Sequence, residues 1–279
     1  MRNLLFVSLL TALSPAFAQI TGSCGEAITL ATRGSTTMRY AFSAGTTAPG
    51  GPLTLVMLVG GGGYLDIDDA GCPRLLNRNV LVRMRTLLNE AGIATALVDA
   101  PSDLRTDEGL GGYRIAPEHA QDLGKLIEAL RSRNKGPVWI AGHSRGSISA
   151  VTAAARLTGA AAPDGVILLS GMYIGDAKAR RPWAAHTVFF ADLAAIKVPV
   201  LVIGHAADNC VRSPPDQMND VIAKTRGVRQ QAVTVSGGPV APGRAPSLAA
   251  CEVREPHDFT DQQAEVAAGI ARFMRGNNY

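Results

Sequence analysis

Apolar and polar positions along the chain predict strands and helices in alternation. The apolar runs from Leu53 to Val59 and from Ala94 to Val98 are typical of strands buried on both faces of a parallel sheet. Between them, residues 77–91 carry apolar side chains at helical spacing and end before Gly92, which suits a C-terminal cap. Further strands are predicted at 26–31, 37–44, 138–141, 165–169, 200–203 and 231–235, and further helices at 117–131, 147–151, 214–224 and 260–274.

This alternation predicts an α/β fold with a mostly parallel central sheet and helices on both faces. The two opening strands suit an antiparallel edge pair. No shift in composition divides the chain, so we expect one domain over residues 19–279. Residues 171–198 are irregular and are expected to form a short cap over an accessible cleft, and residues 236–257 form a second long loop.

The first eighteen residues read as a signal peptide. Arg2 precedes a short apolar stretch at residues 4–10, and small residues stand at Ala16 and Ala18 before the expected cleavage site. We therefore expect a secreted or periplasmic protein, with a retained N-terminal anchor as the alternative. The later apolar segments are too short to span a bilayer, so no stable membrane insertion is expected.

Composition supports a sizeable core, because 47% of the residues are hydrophobic and only 18% are charged. The formal net charge of +4 comes from scattered basic residues, which does not indicate nucleic-acid binding, and the oligomeric state is left open. The chain has four cysteines, an even number that predicts two disulfides in an oxidising compartment. Three pairings are possible, and the spacings do not match a metal-binding C-x-x-C motif. The cysteines are Cys24, Cys72, Cys210 and Cys251.

Residues 142–146 read Gly-His-Ser-Arg-Gly and lie between a predicted strand and a predicted helix. In a nucleophile elbow, a serine occupies such a strand-to-helix turn with its hydroxyl exposed, and the turn leaves room only for small residues two positions away. A chance match in a chain rich in glycine and serine is the alternative. The flanking elements favour Ser144 as a nucleophile.

A serine nucleophile needs a base and an orienting carboxylate, expected in the chain order serine, acid, histidine. Asp208 follows a late strand and is the candidate acid, unless it only begins the turn before Pro214. His257 precedes the closing helix and is the candidate base, with Asp258 as the expected N-cap of that helix. Structural roles are expected for His119, His143, His186 and His205.

An oxyanion formed at the serine needs two N–H donors. The backbone of Arg145 is the first candidate, and the loop of residues 60–63, all glycine, supplies the second from Gly61 or Gly62. A phosphate-binding loop is the competing interpretation. The segment lacks the terminal Lys-Ser or Lys-Thr of a P-loop, which argues against nucleotide binding.

Together these motifs resemble the α/β-hydrolase superfamily over essentially the whole chain that follows the signal peptide. The resemblance implies cleavage of carboxylic esters through an acyl-enzyme intermediate, with Ser144, His257 and Asp208 as the triad and no cofactor or metal. The chain departs from the H-G-G-G oxyanion motif, since Gly60 stands where that motif has histidine. It also carries Arg145 where many members have a small or apolar residue, and this side chain would pair with an acid or meet an anionic substrate group.

The resemblance also favours one pairing of the cysteines. Cys210 lies close after the candidate acid and Cys251 close before the candidate base, so a bridge between them would join the two loops. This is similar to secreted cutinases and related polyester hydrolases, which carry a disulfide beside the same loops. Cys24 would then pair with Cys72.

The same residues also fit other chemistry. Thioester hydrolysis, amide hydrolysis, perhydrolysis and acyl transfer use the same machinery, and a non-catalytic binding protein on this scaffold is a further alternative. The expected partner is a small-molecule or polymeric ester. Basic side chains at Lys178, Arg180 and Arg181 beside Trp183 would contact an acidic or polymeric ligand, or else form a solvated face of the cap.

Overall fold

The strands form one eight-stranded sheet within residues 24–239, 245–252 and 254–279, which are the residues described by the computed structural model. The predicted signal peptide and part of the second long loop lie outside them. The strands are β1 (Glu26–Ala31), β2 (Thr37–Ser43), β3 (Leu53–Leu58), β4 (Ile93–Val98), β5 (Val138–His143), β6 (Val166–Leu169), β7 (Val200–His205) and β8 (Gln230–Val235).

The strand order is β1-β2-β4-β3-β5-β6-β7-β8. Strand β2 pairs antiparallel with β1 and with β4, which confirms the predicted antiparallel edge, and the remaining pairs are parallel. Parallel strands place their carboxyl ends along one edge of the sheet. The ends of β3, β5 and β7 therefore bring together the loops that carry the candidate site.

The described helices pack on both faces of this sheet. The helix predicted over 77–91 is two short helices, because the Asn79 side chain caps the first turn at Leu81 and Met84 separates the two. The closing helix begins later than predicted, because Phe259 and Asp261 have positive φ angles of 50° and 63°. The helices are α1 (Val80–Arg83), α2 (Arg85–Glu90), α3 (Pro117–Asn134), α4 (Gly146–Arg156), α5 (Met218–Lys224) and α6 (Gln263–Met274).

Successive side chains of the central strands enter two separate cores. Val56 and Leu58 pack with α3, α4 and α5, whereas Leu55 and Met57 pack with α1, α2 and α6. The strands are buried on both faces, which explains why they read as continuous apolar runs rather than as alternating ones. The sheet is therefore a rigid base for its connecting loops.

The segment between β6 and β7 forms the short cap that was predicted. It contains the 3-10 turns Pro182–Ala185, Val188–Phe190 and Leu193–Ala195 rather than a helical lid. Among the described helices there is none with the length and apolar character needed to cross a bilayer.

Candidate active site

The turn after β5 has the geometry of a nucleophile elbow. Ser144 has a φ angle of +51°, and its amide donates to the Leu169 carbonyl at 2.9 Å. A Cβ at position 142 would lie 2.4 Å from the Gly146 carbonyl oxygen, and one at position 146 would lie 2.0 Å from the Leu58 carbonyl oxygen. Both positions require glycine, so the motif is a steric consequence of the turn.

Asp208 and His257 form a buried pair. Asp208 follows β7, His257 lies in the 3-10 turn Pro256–Asp258, and His257 Nδ1 lies 3.0 Å from Asp208 Oδ2. A carboxylate only accepts, so Nδ1 carries the proton and Nε2 is left as an acceptor. Nε2 is buried and has no hydrogen-bond partner among the described residues. The other Asp208 oxygen accepts from the Cys210 amide at 2.9 Å, which fixes the carboxylate.

The residue before Ser144 contacts the same imidazole. His143 Nε2 donates to the His257 carbonyl at 3.1 Å, and the two rings lie 5.1 Å apart. His257 Nε2 has no partner among the described residues, so the hydrogen bond expected between Ser144 and His257 is not formed. In free enzymes this contact is often long and shortens when substrate binds. The structure therefore contains the buried link between Asp208 and His257, and the chain neighbour of Ser144 lies against the same imidazole.

Residues 254–259, here named the histidine loop, are attached to the start of α1. Asp258 accepts from the Val80 amide at 2.8 Å and from Arg83 Nη2 at 2.7 Å, so it holds α1 and not the closing helix, and its prediction as the N-cap of that helix is wrong. Burial raises the pKa of Asp258 to about 6, and Arg83 opposes this shift. The loop is thus fixed by an ion pair that spans most of the chain.

His143 completes this attachment. Its Nδ1 accepts from Asn79 Nδ2 at 2.8 Å, and burial lowers its pKa to about 3, so the ring is neutral at pH 7. Sequence reasoning missed Asn79, although an asparagine directly before an apolar helical stretch is an N-cap signal. His143 has the structural role that was predicted for it.

Residues 60–63, here named the glycine loop, follow β3 and lie against the elbow. The Gly63 amide donates to the Gly60 carbonyl at 3.2 Å, and a Cβ at position 60 would lie 2.9 Å from the Ser144 Cβ. Gly61 lines the same cleft as Ser144. Gly62 lies instead against residues 107–108, and its carbonyl accepts from the Leu110 amide at 2.8 Å. Among the described residues, the amides of Gly61, Gly62 and Arg145 have no acceptor.

The cleft at Ser144 is small and open. Its volume is about 170 Å³, and Leu76, Cys251 and Glu252 contribute to its walls. Leu76 also lines a neighbouring groove of about 330 Å³ that contains Tyr64. Leu75 and Leu76 line this groove and are exposed apolar side chains. The site suits a small group at the serine, with an apolar extension beside it.

The Arg145 side chain faces the cap. Its guanidinium carbon lies 4.2 Å from the centre of the Trp183 ring, and Nη2 donates to the Trp183 carbonyl at 3.3 Å. It forms no ion pair within the described residues. Arg181 pairs with Glu108 at 2.8 Å, and Trp183 Nε1 donates to the same carboxylate at 3.1 Å. One member of the basic patch is therefore already paired, whereas Lys178 and Arg180 belong to the exposed face.

The structure contains the two disulfides that the resemblance favoured, Cys24–Cys72 and Cys210–Cys251. Potential ligand atoms of Asp208, Cys210 and His257 lie within 4.8 Å of one another, a spacing that a metal site would also show. Cys210 is bonded to Cys251, so it offers no thiolate, and the other two side chains bind each other. A hydrogen-bonded Asp208–His257 pair beside a disulfide therefore explains this grouping better than a metal site does.

The side chains of the remaining histidines form no hydrogen bond to this pair within the described residues. His205 Nε2 donates to the Gly237 carbonyl at 3.0 Å, and its Nδ1 accepts from the Ala207 amide at 3.1 Å. His119 is buried beside Tyr113, and His186 lies against Phe190 in the cap. These contacts are structural, in agreement with the structural roles expected for the three histidines.

No family model matches the chain, and no curated protein matches it. Solved structures do. Est1E from Butyrivibrio proteoclasticus has a TM-score of 0.58 at 15% identity over 90% of this chain and 98% of that chain. A dienelactone hydrolase from Anabaena variabilis has a TM-score of 0.54 at 18% identity over 91% and 97%. A thermostable carboxyl esterase from Bacillus coagulans has a TM-score of 0.59 at 14% identity over 90% and 98%. These similarities identify the architecture of the chain as the α/β-hydrolase fold.

Proposed function

We propose that the protein is a secreted or periplasmic serine hydrolase that cleaves carboxylic esters. The observation that carries this proposal is the buried link between Asp208 and His257, whose Nε2 has no partner among the described residues. The His257 ring lies 5.1 Å from the ring of His143, the residue before a serine on a strained turn. A hydrolase needs its base in one tautomer with a free acceptor, and this arrangement supplies it. The fold and the named activities of the similar structures support the same class.

In the first half of the reaction, Ser144 Oγ attacks the ester carbonyl carbon and its proton moves to His257 Nε2. Asp208 stabilises the imidazolium that forms. The carbonyl oxygen becomes an oxyanion and accepts from the free amides of Arg145 and Gly61. We choose Gly61 over Gly62 because Gly61 lines the cleft with Ser144, whereas Gly62 lies against residues 107–108.

The intermediate then collapses. The carbon–oxygen bond to the alcohol breaks, Nε2 returns its proton to the leaving oxygen, and the acyl group stays on Ser144. Water next attacks the acyl carbonyl and gives its proton to Nε2, and the second intermediate releases the carboxylic acid and restores the serine. Each proton taken by His257 is returned, so the residues described above account for the full cycle.

A small acyl group fits the cleft best. A volume of about 170 Å³ at the serine suits short or medium acyl chains, and the short cap leaves access for a small-molecule or a polymeric ester. Est1E also has a structure with ferulic acid bound, which shows an aromatic acid in a similar fold. Thioesterase, amidase and acyltransferase activity form the alternative class, and rates on a matched ester, thioester and anilide separate them.

Two disulfides support a location outside the reducing cytoplasm. Together with the predicted signal peptide, they fit a secreted or periplasmic enzyme. Mass spectrometry of the mature chain checks this part of the proposal, with cleavage expected after Ala18.

Replacing Ser144 with alanine tests the catalytic role. Hydrolysis of p-nitrophenyl butyrate by S144A should fall by about 10⁴-fold or more, because the nucleophile is lost, while the melting temperature stays near that of the wild type. Ser102→Ala, at an exposed serine, is the matched control and should keep full activity. Wild-type activity in S144A would refute the assignment, and a wild type inactive on every ester would favour the binding-protein alternative.

A further inference from the structure

Arg114 is a fully buried arginine without an acidic partner among the described residues. It lies in the 3-10 turn Gly112–Ile115. Nη1 donates to Ser149 Oγ at 2.9 Å, and Nη2 donates to the carbonyls of Val59 at 3.2 Å and Gly61 at 3.1 Å. One guanidinium therefore joins the glycine loop to α4, the helix after Ser144, here named the elbow helix.

Burying a guanidinium among neutral groups is costly, because desolvation is not offset by an opposite charge. Burial and the charge of Arg145 lower the pKa of Arg114 to about 9, so the group is still charged at pH 7. A leucine or methionine would fill a core position of this size at less cost. The specific gain from arginine is its set of hydrogen bonds to two backbone carbonyls.

Those two carbonyls flank the peptide that joins Gly60 to Gly61. Fixing the carbonyls of Val59 and Gly61 limits the rotation of that peptide, whose N–H is the proposed oxyanion donor. Four glycines in succession have little intrinsic preference for one conformation, and Gly61 and Gly63 have φ angles of +57° and +74°. The Arg114 bonds act together with the bonds that the Gly60 and Gly62 carbonyls accept from the amides of Gly63 and Leu110. A Cβ at position 63 would lie 2.7 Å from Arg114 Nη2, so glycine there also makes room for the guanidinium.

We propose that Arg114 is a positioning residue that orients the oxyanion donor of Gly61 through the carbonyls of Val59 and Gly61 and adds a fixed positive charge near it. The inference rests on the proposed function. It predicts that Arg114 stabilises the transition state more than the bound substrate, because the donor acts on the charge that develops during attack.

The test compares Arg114→Met, Arg114→Lys and the control Ser149→Ala. R114M should lower kcat by about 10²-fold with KM changed less than threefold, similar to the loss of one oxyanion donor. R114K should be intermediate, since lysine keeps the charge but not the two-carbonyl fork, and it carries the test if R114M does not fold. S149A removes the bond to the elbow helix only and should change kcat less than twofold.

Two further readouts separate positioning from a purely structural role. The inhibition constant of butylboronic acid, which forms a tetrahedral adduct with a catalytic serine, should rise in proportion to the loss of kcat. Millimolar guanidinium chloride should partly restore kcat in Arg114→Gly, because it can occupy the vacated site. Melting temperatures are measured for all variants.

The outcomes are distinct. Unchanged kcat and boronate inhibition in R114M and R114K, with only a lower melting temperature, would overturn the inference, as would a kcat loss without weaker boronate inhibition. Both results require that S144A is inactive. If S144A keeps wild-type activity, the proposed function fails instead.

Discussion

The glycine loop and the histidine loop line the same cleft at Ser144, and they are held in different ways. The glycine loop presents only backbone, and its position depends on a side chain from another segment, Arg114. The histidine loop presents a side chain, and it is fixed by the ion pair of Asp258 with Arg83. The disulfide Cys210–Cys251 also joins the segment just before this loop to the segment that follows Asp208.

The difference follows from what each loop is proposed to contribute. An N–H donor must approach the serine closely, so side chains are excluded from the glycine loop and the restraint comes from a side chain of another segment. An imidazole base needs room to accept and return a proton, so its loop is fixed at its flanks while Nε2 stays unpaired. We therefore expect kcat to fall when a side chain is added in the glycine loop, and to fall when a crosslink beside the histidine loop is removed.

Among the substitutions that compare the two loops, the largest effect is expected from Gly60→Ala. The added Cβ would lie 2.9 Å from the Ser144 Cβ and 3.2 Å from the His143 carbonyl oxygen, so the serine or the loop must move. Displacing a reacting group by about 1 Å costs on the order of 10²-fold in rate, and kcat should fall by about that factor. The measurement is ester hydrolysis under saturating substrate.

Gly112→Ala is the matched control for Gly60→Ala. A Cβ at position 112 would meet only Trp183, at 3.7 Å, and kcat should stay within twofold of the wild type. Equal activity of G60A and wild type would contradict the close approach of the glycine loop to Ser144.

The two disulfides give an internally matched comparison. They close loops of similar length, with sequence separations of 48 for Cys24–Cys72 and 41 for Cys210–Cys251. Replacing either pair with serine should therefore lower the free energy of unfolding by about 3–4 kcal/mol, as measured by denaturant titration.

Activity should distinguish the two pairs. Loss of the bridge that joins the Asp208 and His257 segments should also lower kcat by about 10-fold at a temperature where the protein is folded, whereas loss of Cys24–Cys72 should not. Equal kcat in the two double variants would show that the bridge near the histidine loop serves stability alone.

The smallest effect is expected from Asp258→Asn. The folded-state pKa of about 6 lies above the ordinary value of 3.8, so the folded protein binds this proton more tightly than the unfolded chain. The contribution of Asp258 to stability should therefore increase as the pH falls from 7 toward 4, by about 1–3 kcal/mol relative to D258N, in which this group does not titrate.

Asp69→Asn is the control with the opposite sign. Arg39 lowers the pKa of the exposed Asp69, so its contribution to stability should be lost as the pH falls through the folded-state pKa. Urea titrations of the wild type, D258N and D69N at several pH values measure how the free energy of unfolding of each protein changes with pH. If the difference in free energy of unfolding between wild type and D258N does not change between pH 4 and 7, the burial of the Asp258 carboxylate is contradicted.

Local rules explain why the elbow, the strands and the acid–histidine pair were predictable. Glycine at 142 and 146 is required by contacts within one tight turn, and Asp208 and His257 follow from the order of strands in a parallel sheet. These features could be predicted because the elbow depends on residues close in sequence, and the positions of Asp208 and His257 depend on the order of the strands.

The supporting contacts were not predictable in the same way. Asp258 accepts from an amide 178 positions earlier, and Arg114 reaches a loop more than fifty residues away. Neither residue has a local pattern that identifies its partner, because an aspartate before a helix also suits an N-cap and an arginine in a polar loop suits the surface. Only the packed fold brings such partners together.

Labelling with a fluorophosphonate tests the central claim most directly. The wild-type protein is incubated with the probe, its intact mass is measured, and the modified peptide is mapped alongside the loss of ester hydrolysis. One adduct per chain is expected, on Ser144, formed in parallel with the loss of activity. Ester hydrolysis that persists without an adduct, or an adduct on another residue that accounts for the lost activity, would contradict it.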